Sequence, residues 1–432
     1  MKKVKLTKEQ QRILELIEST GDNFFITGRA GTGKSTLLSA LTTSTEKRVA
    51  VCAPTGVAAL NVQGTTIHSL FFLPIGLIGN ERLTQTPQKR KLLQAIELLV
   101  IDEISMVNAD VMDAIDRALR EVRHKRGVPF GGVQVVMFGD PYQLAPVPPR
   151  SQEEKAYFAD HYRSMWFFDA HVWEQTPMRI VELTEIHRQR DEEFKHMLNA
   201  VRHGKVTPEI GRALNEAGDR PAPAGDIITL ATTNDAVARI NATALAQLAG
   251  ETKTAAANVD GDFPPGWFPA DEELTLKVGA QVMFLRNDSD QRWVNGTVGH
   301  VTRIGKTVHV EVHDGESTVE HEVLPAVWER YRYDYDPETK TLEREVIAEF
   351  TQFPLRLAWA VTIHKSQGQT YERAIIDMGN RAFAPGQTYV ALSRITSLDG
   401  LYLTRGLTPR DVMVDADVER FMGEVDTFNA PD

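Results

Sequence analysis

The chain has 432 residues, of which 42% are hydrophobic and 25% are charged. This length and composition are typical of a soluble globular protein with two or three domains. The formal net charge of −11 argues against a surface coated with basic residues for nucleic acid, although a local basic groove would be compatible with it.

The single cysteine, Cys52, excludes a disulfide framework and indicates a reducing cytosol. It lies within a predicted strand, where a small buried thiol is expected rather than a nucleophile. The first residues lack the apolar stretch of a secretory signal, and no segment has the length that a bilayer requires. We therefore expect a cytoplasmic protein, bacterial or phage-like, without a membrane partner.

The first motif along the chain is "GRAGTGKST", residues 28–36, which has the spacing of a phosphate-binding loop. A β-prone stretch precedes it at 23–27 and a helix-prone stretch follows at 35–41, so bound phosphates would lie at a helix N-terminus. We expect Lys34 to reach the β- and γ-phosphates and the Ser35 hydroxyl to ligate Mg²⁺. The alternative is a glycine-rich turn that matches by chance. The predicted nucleotide-binding residues of this loop are Gly28, Gly31, Thr32, Gly33, Lys34, Ser35 and Thr36.

A pair of carboxylates follows the apolar run "LLVIDE" at 98–103, which is typical of a buried parallel strand. Asp102 is the predicted second residue of the Mg²⁺ site, acting with Ser35. Glu103 is the predicted base that orients and deprotonates the attacking water. The alternative for such a pair is solvated surface.

Two other predicted strands end in polar residues. The stretch 133–140 leads to Gln143, a candidate sensor of the γ-phosphate, whose alternative is a loop residue that bonds the backbone. The stretch 48–56 ends in Thr55 and Gly56. Ligands of open α/β sheets bind at the carboxyl ends of the strands, so these clusters are expected to share one edge.

The chain as a whole predicts an α/β fold with two parallel layers. Strands and helices alternate from about 8 to 185, and 179–185 is the expected last strand of the first layer. A second layer starts near 226–234 and resumes at 373–379 and 401–404.

Two segments interrupt these layers. Residues 60–91 form a small insertion between the second and third strands. The stretch 299–324 alternates apolar and polar residues, with "GK" and "DG" at its turns, which predicts a small antiparallel barrel inserted in the second layer.

A phosphate loop followed by two layers indicates a motor in which the second layer supplies a cation, as an arginine finger does. Arg188 in "LTEIHRQRD" and Arg394 in "YVALSRITSLDGLYL" are the candidates. One alternative is a small-molecule kinase, which leaves Arg394 and "TIHKSQGQT" unexplained. Another is a nucleotide-gated DNA clamp or adaptor without catalysis, which would tolerate loss of Glu103.

Nine stretches together make the sequence resemble the Pif1 family of DNA helicases, in superfamily 1 and related to RecD-like helicases. They are "GRAGTGKST", "APTGVAAL" with "GTTIHSLF", "LLVIDEISMV", "PFGGVQVVMFGDPYQLAPV", "LTEIHRQ", "LKVGAQVMFLRN", "WVNGTVG", "PLRLAWAVTIHKSQGQT" and "GQTYVALSRITSLDGLYL".

The resemblance implies two RecA-like domains with parallel sheets, a small wedge insertion and an SH3-like β-barrel insertion. The first domain would be 1–187, with its wedge at about 67–90. The second would be 188–274 and 351–432, with the barrel at 275–350.

The resemblance also implies 5′→3′ translocation on single-stranded DNA driven by ATP and Mg²⁺, with unwinding of forked or tailed duplexes. Activity on G-quadruplexes and RNA–DNA hybrids, roles in DNA repair, recombination and telomere maintenance, and a monomeric state are further implications. The alternative within this class is a RecD-like ATPase that single-stranded DNA stimulates and that acts as a nucleotide-gated clamp.

Residue roles follow from the same resemblance. Gln10 matches a glutamine that reads the adenine edge, although Thr7 and Gln10 also have capping-box spacing. Arg188 and Arg394 would contact the γ-phosphate. Phe71 and Phe72 either stack on bases or are buried. The implied DNA contacts are Thr55, Gly56, Thr66 and His68 in the first domain and Thr362, His364, Lys365 and Gly368 in the second.

Overall fold

The structure is a computed structural model that describes residues 6–74, 76–79, 86–149, 151–186, 188–189, 191–223, 227–314, 317–336 and 338–425. Residues 75 and 80–85 of the predicted wedge therefore lie outside the described residues.

The strands are β1 (Asn23–Gly28), β2 (Val49–Ala53), β3 (Thr65–Thr66), β4 (Leu98–Ile101), β5 (Gln134–Phe138), β6 (Met178–Leu183), β7 (Ile228–Ala231), β8 (Lys253–Ala256), β9 (Asn258–Gly261), β10 (Glu273–Leu276), β11 (Gln281–Phe284), β12 (Val298–Ile304), β13 (Val308–Asp314), β14 (Ser317–Val323), β15 (Ala326–Asp336), β16 (Thr341–Gln352), β17 (Leu355–Leu357), β18 (Ala360–Thr362), β19 (Ala374–Asp377) and β20 (Leu401–Leu403).

The α-helices are α1 (Lys8–Ser19), α2 (Lys34–Ser44), α3 (Gly56–Asn61), α4 (Ile67–Phe71), α5 (Pro87–Ala95), α6 (Ala109–Val122), α7 (Gln152–His161), α8 (His171–Gln175), α9 (Glu192–Arg202), α10 (Pro208–Gly218), α11 (Asn234–Gln247), α12 (Gln387–Leu392) and α13 (Ala416–Glu424). Among the helices of the described ranges, none combines the length and apolarity needed to cross a bilayer.

The first parallel sheet has the strand order β3-β2-β4-β5-β1-β6, and each neighbouring pair is parallel. Strands β4 and β5 are buried along their whole length, as expected for strands that helices cover on both faces. The apolar runs at 23–27, 98–101 and 179–183 thus form strands as predicted. This order brings the carboxyl ends of β4, β5 and β1 to adjacent positions on one edge.

The second parallel sheet has the order β18-β7-β19-β20, also with parallel neighbours. An antiparallel sheet of order β14-β13-β12-β11-β17 lies between β7 and β18 in the chain. Its buried core includes Val282, Phe284 and Val310. The predicted hairpins at 299–324 are therefore present.

The chain divides into two compact units, residues 1–187 with 330–347 and 415–432, and residues 188–329 with 348–414. Two segments differ from the boundaries that we predicted, because 330–347 was assigned to the barrel and 415–432 to the second domain. The pattern of polar and apolar residues identifies a strand or a helix, but it does not reveal which surface the element packs on.

Contacts of the β15–β16 hairpin explain the first difference. Strand β3 pairs with β2 only at Cys52 and Ala53, and the backbone N–H of Val51 donates instead to the Tyr333 hydroxyl at 3.0 Å. Arg344 donates to the Gln63 carbonyl at 2.8 Å. The hairpin tip thus covers the short edge of the first sheet.

Helix α13 explains the second difference. The Phe421 ring stacks on Phe168 with centroids 4.1 Å apart, and Arg420 pairs with Asp169 at 2.6 Å. Both partners lie in the aromatic segment before α8, so this helix packs on the first unit.

Candidate active site and nucleic-acid interface

The turn between β1 and α2 has the backbone shape of a phosphate-binding loop. Gly28, Gly31 and Gly33 have φ angles of +144°, +83° and +82°, which side chains with a Cβ rarely adopt. A Cβ at Gly28 would also lie 2.7 Å from the Leu183 carbonyl oxygen. Gly33 caps α2 without a side chain, so no cap side chain competes for the N–H groups of the first turn.

The side chains of the loop hold its backbone. The Lys34 ammonium donates to the carbonyls of Gly28 at 2.6 Å and Arg29 at 3.1 Å. The buried Thr32 hydroxyl donates to the same Arg29 carbonyl at 2.9 Å. Ser35 is exposed at the start of the helix. The predicted lysine therefore folds over the loop, and the predicted hydroxyl ligand faces solvent.

The two carboxylates lie at the end of β4. Burial raises the pKa of Asp102 to about 6, although the Glu103 backbone N–H and the Lys34 charge both lower it. Glu103 has φ +49° and ψ +44°, a left-handed conformation that costs free energy for a residue other than glycine and that clusters at functional sites.

Gln143 follows β5, next to this turn. Its amide donates to the Asp140 carboxylate at 3.1 Å, and Asp140 also accepts the Tyr142 N–H at 3.2 Å. A Cβ at Gly139 would lie 2.8 Å from a methyl group of Ile104, which shows how closely the ends of β4 and β5 approach. The structure therefore brings the loops that follow β4 and β5 close together, one beginning with Asp102 and Glu103 and the other carrying Gln143.

Gln10 serves the cap that its spacing predicts. It forms a reciprocal capping box with Thr7, with both bonds at 3.1 Å. Its amide nitrogen lies 3.4 Å from the Gly33 carbonyl oxygen, to which it donates. The predicted cap is therefore present, and the same buried side chain lies beside the phosphate loop.

Arg188 and Arg394 lie together in the second unit. Arg188 donates to the carbonyls of Ser393 at 3.1 Å and Gly368 at 3.4 Å. Arg394 is 1% exposed and donates to the Val390 carbonyl at 2.9 Å and the Ser393 hydroxyl at 2.8 Å. Burial and the Arg394 charge lower the pKa of Arg188 to about 9. Two close guanidinium groups repel each other, which favours an anion between or beside them.

The predicted DNA contacts of the first unit lie after β2 and β3. Thr55 caps α3 by accepting the Ala58 N–H at 3.2 Å, and Thr66 caps α4 by accepting the Ser69 N–H at 3.2 Å. Gly56 begins α3 and is buried. Because β2 and β3 pair at Ala53 and Thr66, both caps lie at the same edge.

His68 and the two phenylalanines lie in and just after α4. Burial lowers the pKa of His68, so this side chain is expected to be neutral at physiological pH. Phe71 is fully buried, whereas Phe72 is 50% exposed with the Lys89 ammonium 3.9 Å above its ring. Only Phe72 is accessible for stacking.

The predicted contacts of the second unit follow β18. The Thr362 hydroxyl accepts the Lys365 N–H at 3.3 Å, and His364 and Lys365 are exposed. The nearby Arg356 charge lowers the pKa of Lys365. Gly368 has φ +81° with open space at its Cβ position. The turn therefore presents two cationic or polar side chains and a glycine to solvent.

Comparisons with known proteins identify the family of the chain. The model of the PIF1-like helicase family matches residues 5–211, and that of the 2B domain of DNA helicase Pif1 matches residues 267–304. An ATP-dependent DNA helicase Pif1 of Bdellovibrio bacteriovorus is 34% identical over 97% of this chain and 92% of its own length. The chain belongs to the PIF1-like helicase family.

Other Pif1 relatives extend the comparison. An ATP-dependent DNA helicase PIF1 of Emericella nidulans is 35% identical over 95% of this chain, which spans 62% of that relative's length. The crystal structure of Bacteroides sp Pif1 in complex with ADP-AlF4 is 40% identical over 97% of both chains, with a TM-score of 0.89. The structure of Bacteroides Pif1 bound to ssDNA, also 40% identical over 97% of both chains, has a TM-score of 0.69.

These findings confirm the predicted family, the fold with two RecA-like domains and the class of ATP-dependent DNA helicases. Three residues that support the Pif1 site were not predicted. Asp140 holds Gln143, and Gln189 donates to the Ser393 and Ile395 carbonyls at 3.0 and 3.1 Å. Asn295 contacts the turn after β18 through Gln369. Asp140 and Gln189 each lie next to a predicted residue in the motif, but a buried amide or carboxylate has no periodic sequence signal.

Proposed function

We propose that this chain is an ATP-dependent 5′→3′ DNA helicase that moves along single-stranded DNA and unwinds tailed or forked duplexes. The observation that carries the proposal is that Lys34 and Asp102 lie close together at one edge of the first sheet, where the adjacent strand β5 leads to Gln143, while the second unit carries a close pair of arginines. The direction of movement is taken from the family resemblance. Relatives whose structures are described with ssDNA and with forked dsDNA support the substrate.

The nucleotide would be held mainly by the phosphate loop. Lys34 would leave its two carbonyl acceptors and pair with the β- and γ-phosphates. Gln10, which lies beside Gly33, would read the adenine edge. Binding at the N-terminus of α2 would supply backbone N–H groups to the phosphate oxygens.

Ser35 and Asp102 would hold Mg²⁺, since a hydroxyl and a carboxylate are the hard oxygen donors that this ion prefers. Burial raises the pKa of the Asp102 carboxylate to about 6, and a positive charge nearby would favour its ionised form, which is the form that binds Mg²⁺. When bound, Mg²⁺ would neutralise charge on the β- and γ-phosphates.

Hydrolysis would depend on residues that this chain places by local strain and buried bonds. The left-handed turn would direct the Glu103 carboxylate toward the attacking water, from which it takes a proton. Gln143, held by Asp140, would sense the γ-phosphate. Arg188 and Arg394 would stabilise the charge that develops on the transferred group.

DNA would be gripped through its backbone, because a motor must ignore base sequence. Thr55, Gly56, Thr66 and His68 would contribute from the first unit, and Thr362, His364, Lys365 and Gly368 from the second. ATP binding and hydrolysis would alternately tighten and release each grip. Affinity should fall steeply with added salt as counterions are released from phosphates.

Strand displacement with matched 5′-tailed and 3′-tailed duplexes tests the proposal. The 5′-tailed substrate should be unwound in an ATP- and Mg²⁺-dependent manner, and the Glu103→Gln variant should bind ATP and DNA without unwinding. A nucleotide-gated clamp would bind DNA in response to ATP yet unwind neither substrate. An ATPase that single-stranded DNA does not stimulate would rule out the motor. Placing a G-quadruplex or an RNA–DNA hybrid after the same 5′ tail extends the test to both structures.

A further inference from the structure

The loop that joins β11 to β12, residues 285–297, is braced by its own bonds. The Asn295 N–H donates to the Asn287 side-chain oxygen at 2.8 Å, and the Gly296 N–H donates to the Phe284 carbonyl at 2.9 Å. Arg292 and Asp288 form a two-point ion pair with bonds of 2.7 and 2.8 Å. A loop with this many internal bonds keeps its shape, so it can position whatever it contacts.

This barrel loop contacts the turn that follows β18. The Gln369 amide nitrogen donates to the Asn295 side-chain oxygen at 2.8 Å. Gly296 has φ +95°, and a Cβ there would lie 2.2 Å from the side-chain oxygen of Gln369. The absence of a side chain at Gly296 therefore allows Gln369 to lie against the loop and reach Asn295.

The same turn contacts the arginines on its other side. Arg188 donates to the Gly368 carbonyl, the residue before Gln369, at 3.4 Å. Two residues after Gln369, the Tyr371 N–H donates to the Arg394 carbonyl at 2.8 Å. The Tyr371 hydroxyl lies 3.4 Å from the sulfur of Met283 on β11. Residues 366–371 are thus held between the barrel sheet and the two arginines.

The proposed DNA contacts Thr362, His364 and Lys365 lie just before this segment, and Gly368 lies within it. The Ser366 N–H donates to the Thr362 carbonyl at 3.0 Å, and the Gln369 N–H donates to the Ser366 carbonyl at 2.9 Å. Backbone hydrogen bonds therefore connect Gln369 to Thr362, and the neighbouring Gly368 carbonyl connects it to Arg188. One short segment links the residues proposed for DNA and those proposed for the γ-phosphate.

We propose that Asn295 is a positioning residue that, through its hydrogen bond to Gln369, aligns the segment 366–371 so that bound DNA stimulates ATP hydrolysis. The barrel loop thereby takes part in catalysis without touching nucleotide. This inference rests on the proposed function, because it requires an ATPase that DNA stimulates. Its distinctive consequence is a loss of stimulation without a loss of DNA binding.

Two substitutions that barely change side-chain size should have opposite effects on DNA stimulation in the full-length chain. Asn295→Asp keeps the oxygen that accepts from Gln369 and should retain stimulation by oligo(dT). Gln369→Glu replaces the donor by a second acceptor and should lower the DNA-stimulated kcat about fivefold or more, in the range typical of coupling between sites. The basal kcat and the Kd for labelled oligo(dT) should change less than about twofold, well below that range.

A double-mutant cycle with Asn295→Ala and Gln369→Ala separates coupling from general damage. Stimulation of ATP hydrolysis by DNA should fall by the same factor in both single variants and in the double variant. It should be unchanged in Val294→Ala, which alters an exposed neighbour. The inference would be overturned if the variants lost basal and stimulated kcat equally, or if the losses of the two single variants added up in the double variant. It would also be overturned if Asn295→Asp lost stimulation while Gln369→Glu kept it. Absence of DNA stimulation in the unaltered chain would instead refute the proposed function.

Discussion

The two parallel sheets carry opposite charge at their candidate sites. The first ends in a glycine turn, a lysine and a carboxylate pair whose Asp102 has a pKa raised by burial. The second holds Arg188 and Arg394 around the Ser393 carbonyl and hydroxyl. Similar scaffolds therefore carry complementary chemistry, since function depends on the residues placed on a fold rather than on the fold itself.

The largest expected effect lies in the first sheet. Lys34→Ala should lower the DNA-stimulated kcat by roughly 10²–10³-fold, as removal of one group that stabilises transition-state charge does. Steady-state ATP hydrolysis with saturating oligo(dT) measures this effect, and Lys8→Ala, at the start of α1, is the matched control. Retention of more than about a tenth of the activity would contradict the role of Lys34. The contrast between the phosphate site of the first sheet and the arginine pair of the second would then fail.

The arginines of the second sheet should affect turnover more than nucleotide affinity. Arg188→Ala is expected to reduce kcat about 10²-fold while the Kd for a fluorescent ATP analogue stays nearly unchanged, because the charge is needed as the γ-phosphate leaves. Arg220→Ala, a partly exposed arginine of the same unit, provides the control. A parallel loss of affinity would show that Arg188 binds the ground state instead.

Arg394 differs from Arg188 in burial and should differ in stability. The residue is 1% exposed and its guanidinium donates to the Val390 carbonyl in the preceding helix α12, so Arg394→Ala should lower the Tm as well as kcat. Differential scanning calorimetry of both variants checks this distinction. Equal Tm values for the two variants would mean that the burial of Arg394 contributes little to folding.

A carboxylate of the second unit should control its response to acid. Burial alone would raise the pKa of Asp411, but hydrogen bonds from Arg405, Thr408 and Ala382 outweigh it and hold the pKa well below the usual range. The carboxylate therefore stabilises the fold above about pH 4 and loses this contribution as the pH falls further.

Asp411→Asn should lower the free energy of unfolding at neutral pH by about 2 kcal/mol, the scale of hydrogen bonds to a charged group. Its Tm should also decline less between about pH 4 and pH 2 than that of the unaltered chain. Asp399→Asn is the control, since that side chain is 95% exposed. Parallel pH profiles for all three proteins would contradict the expectation.

The smallest expected effect concerns Gln10, which has two predicted roles. Gln10→Ala should lower the ratio of kcat/KM for ATP over GTP by about tenfold or less if the amide reads adenine. Loss of the cap alone would lower the Tm and leave that ratio unchanged, as Thr7→Ala should do. Gln11→Ala, at the exposed neighbouring position, should change neither quantity.

The predicted fold depended on signals that lie close together in the chain. Apolar runs that end in Gly28 or Asp102 were sufficient to identify these strands and the loops that follow them. The capping box of Thr7 and Gln10 was equally local. The hydrogen bond from the Val51 N–H to the Tyr333 hydroxyl was not predicted, because 282 residues separate the two partners.

The sequence by itself determined the phosphate loop, the strand ends and the family, because backbone conformation at glycines and the burial of short apolar strands depend on neighbouring residues. Only the tertiary structure decided that Arg188 and Arg394 lie side by side, that Asp140 holds Gln143, and that Asn295 reaches Gln369. A hydrogen bond between distant residues depends on where the folded sheets carry them, and periodicity in the sequence contains no record of that position.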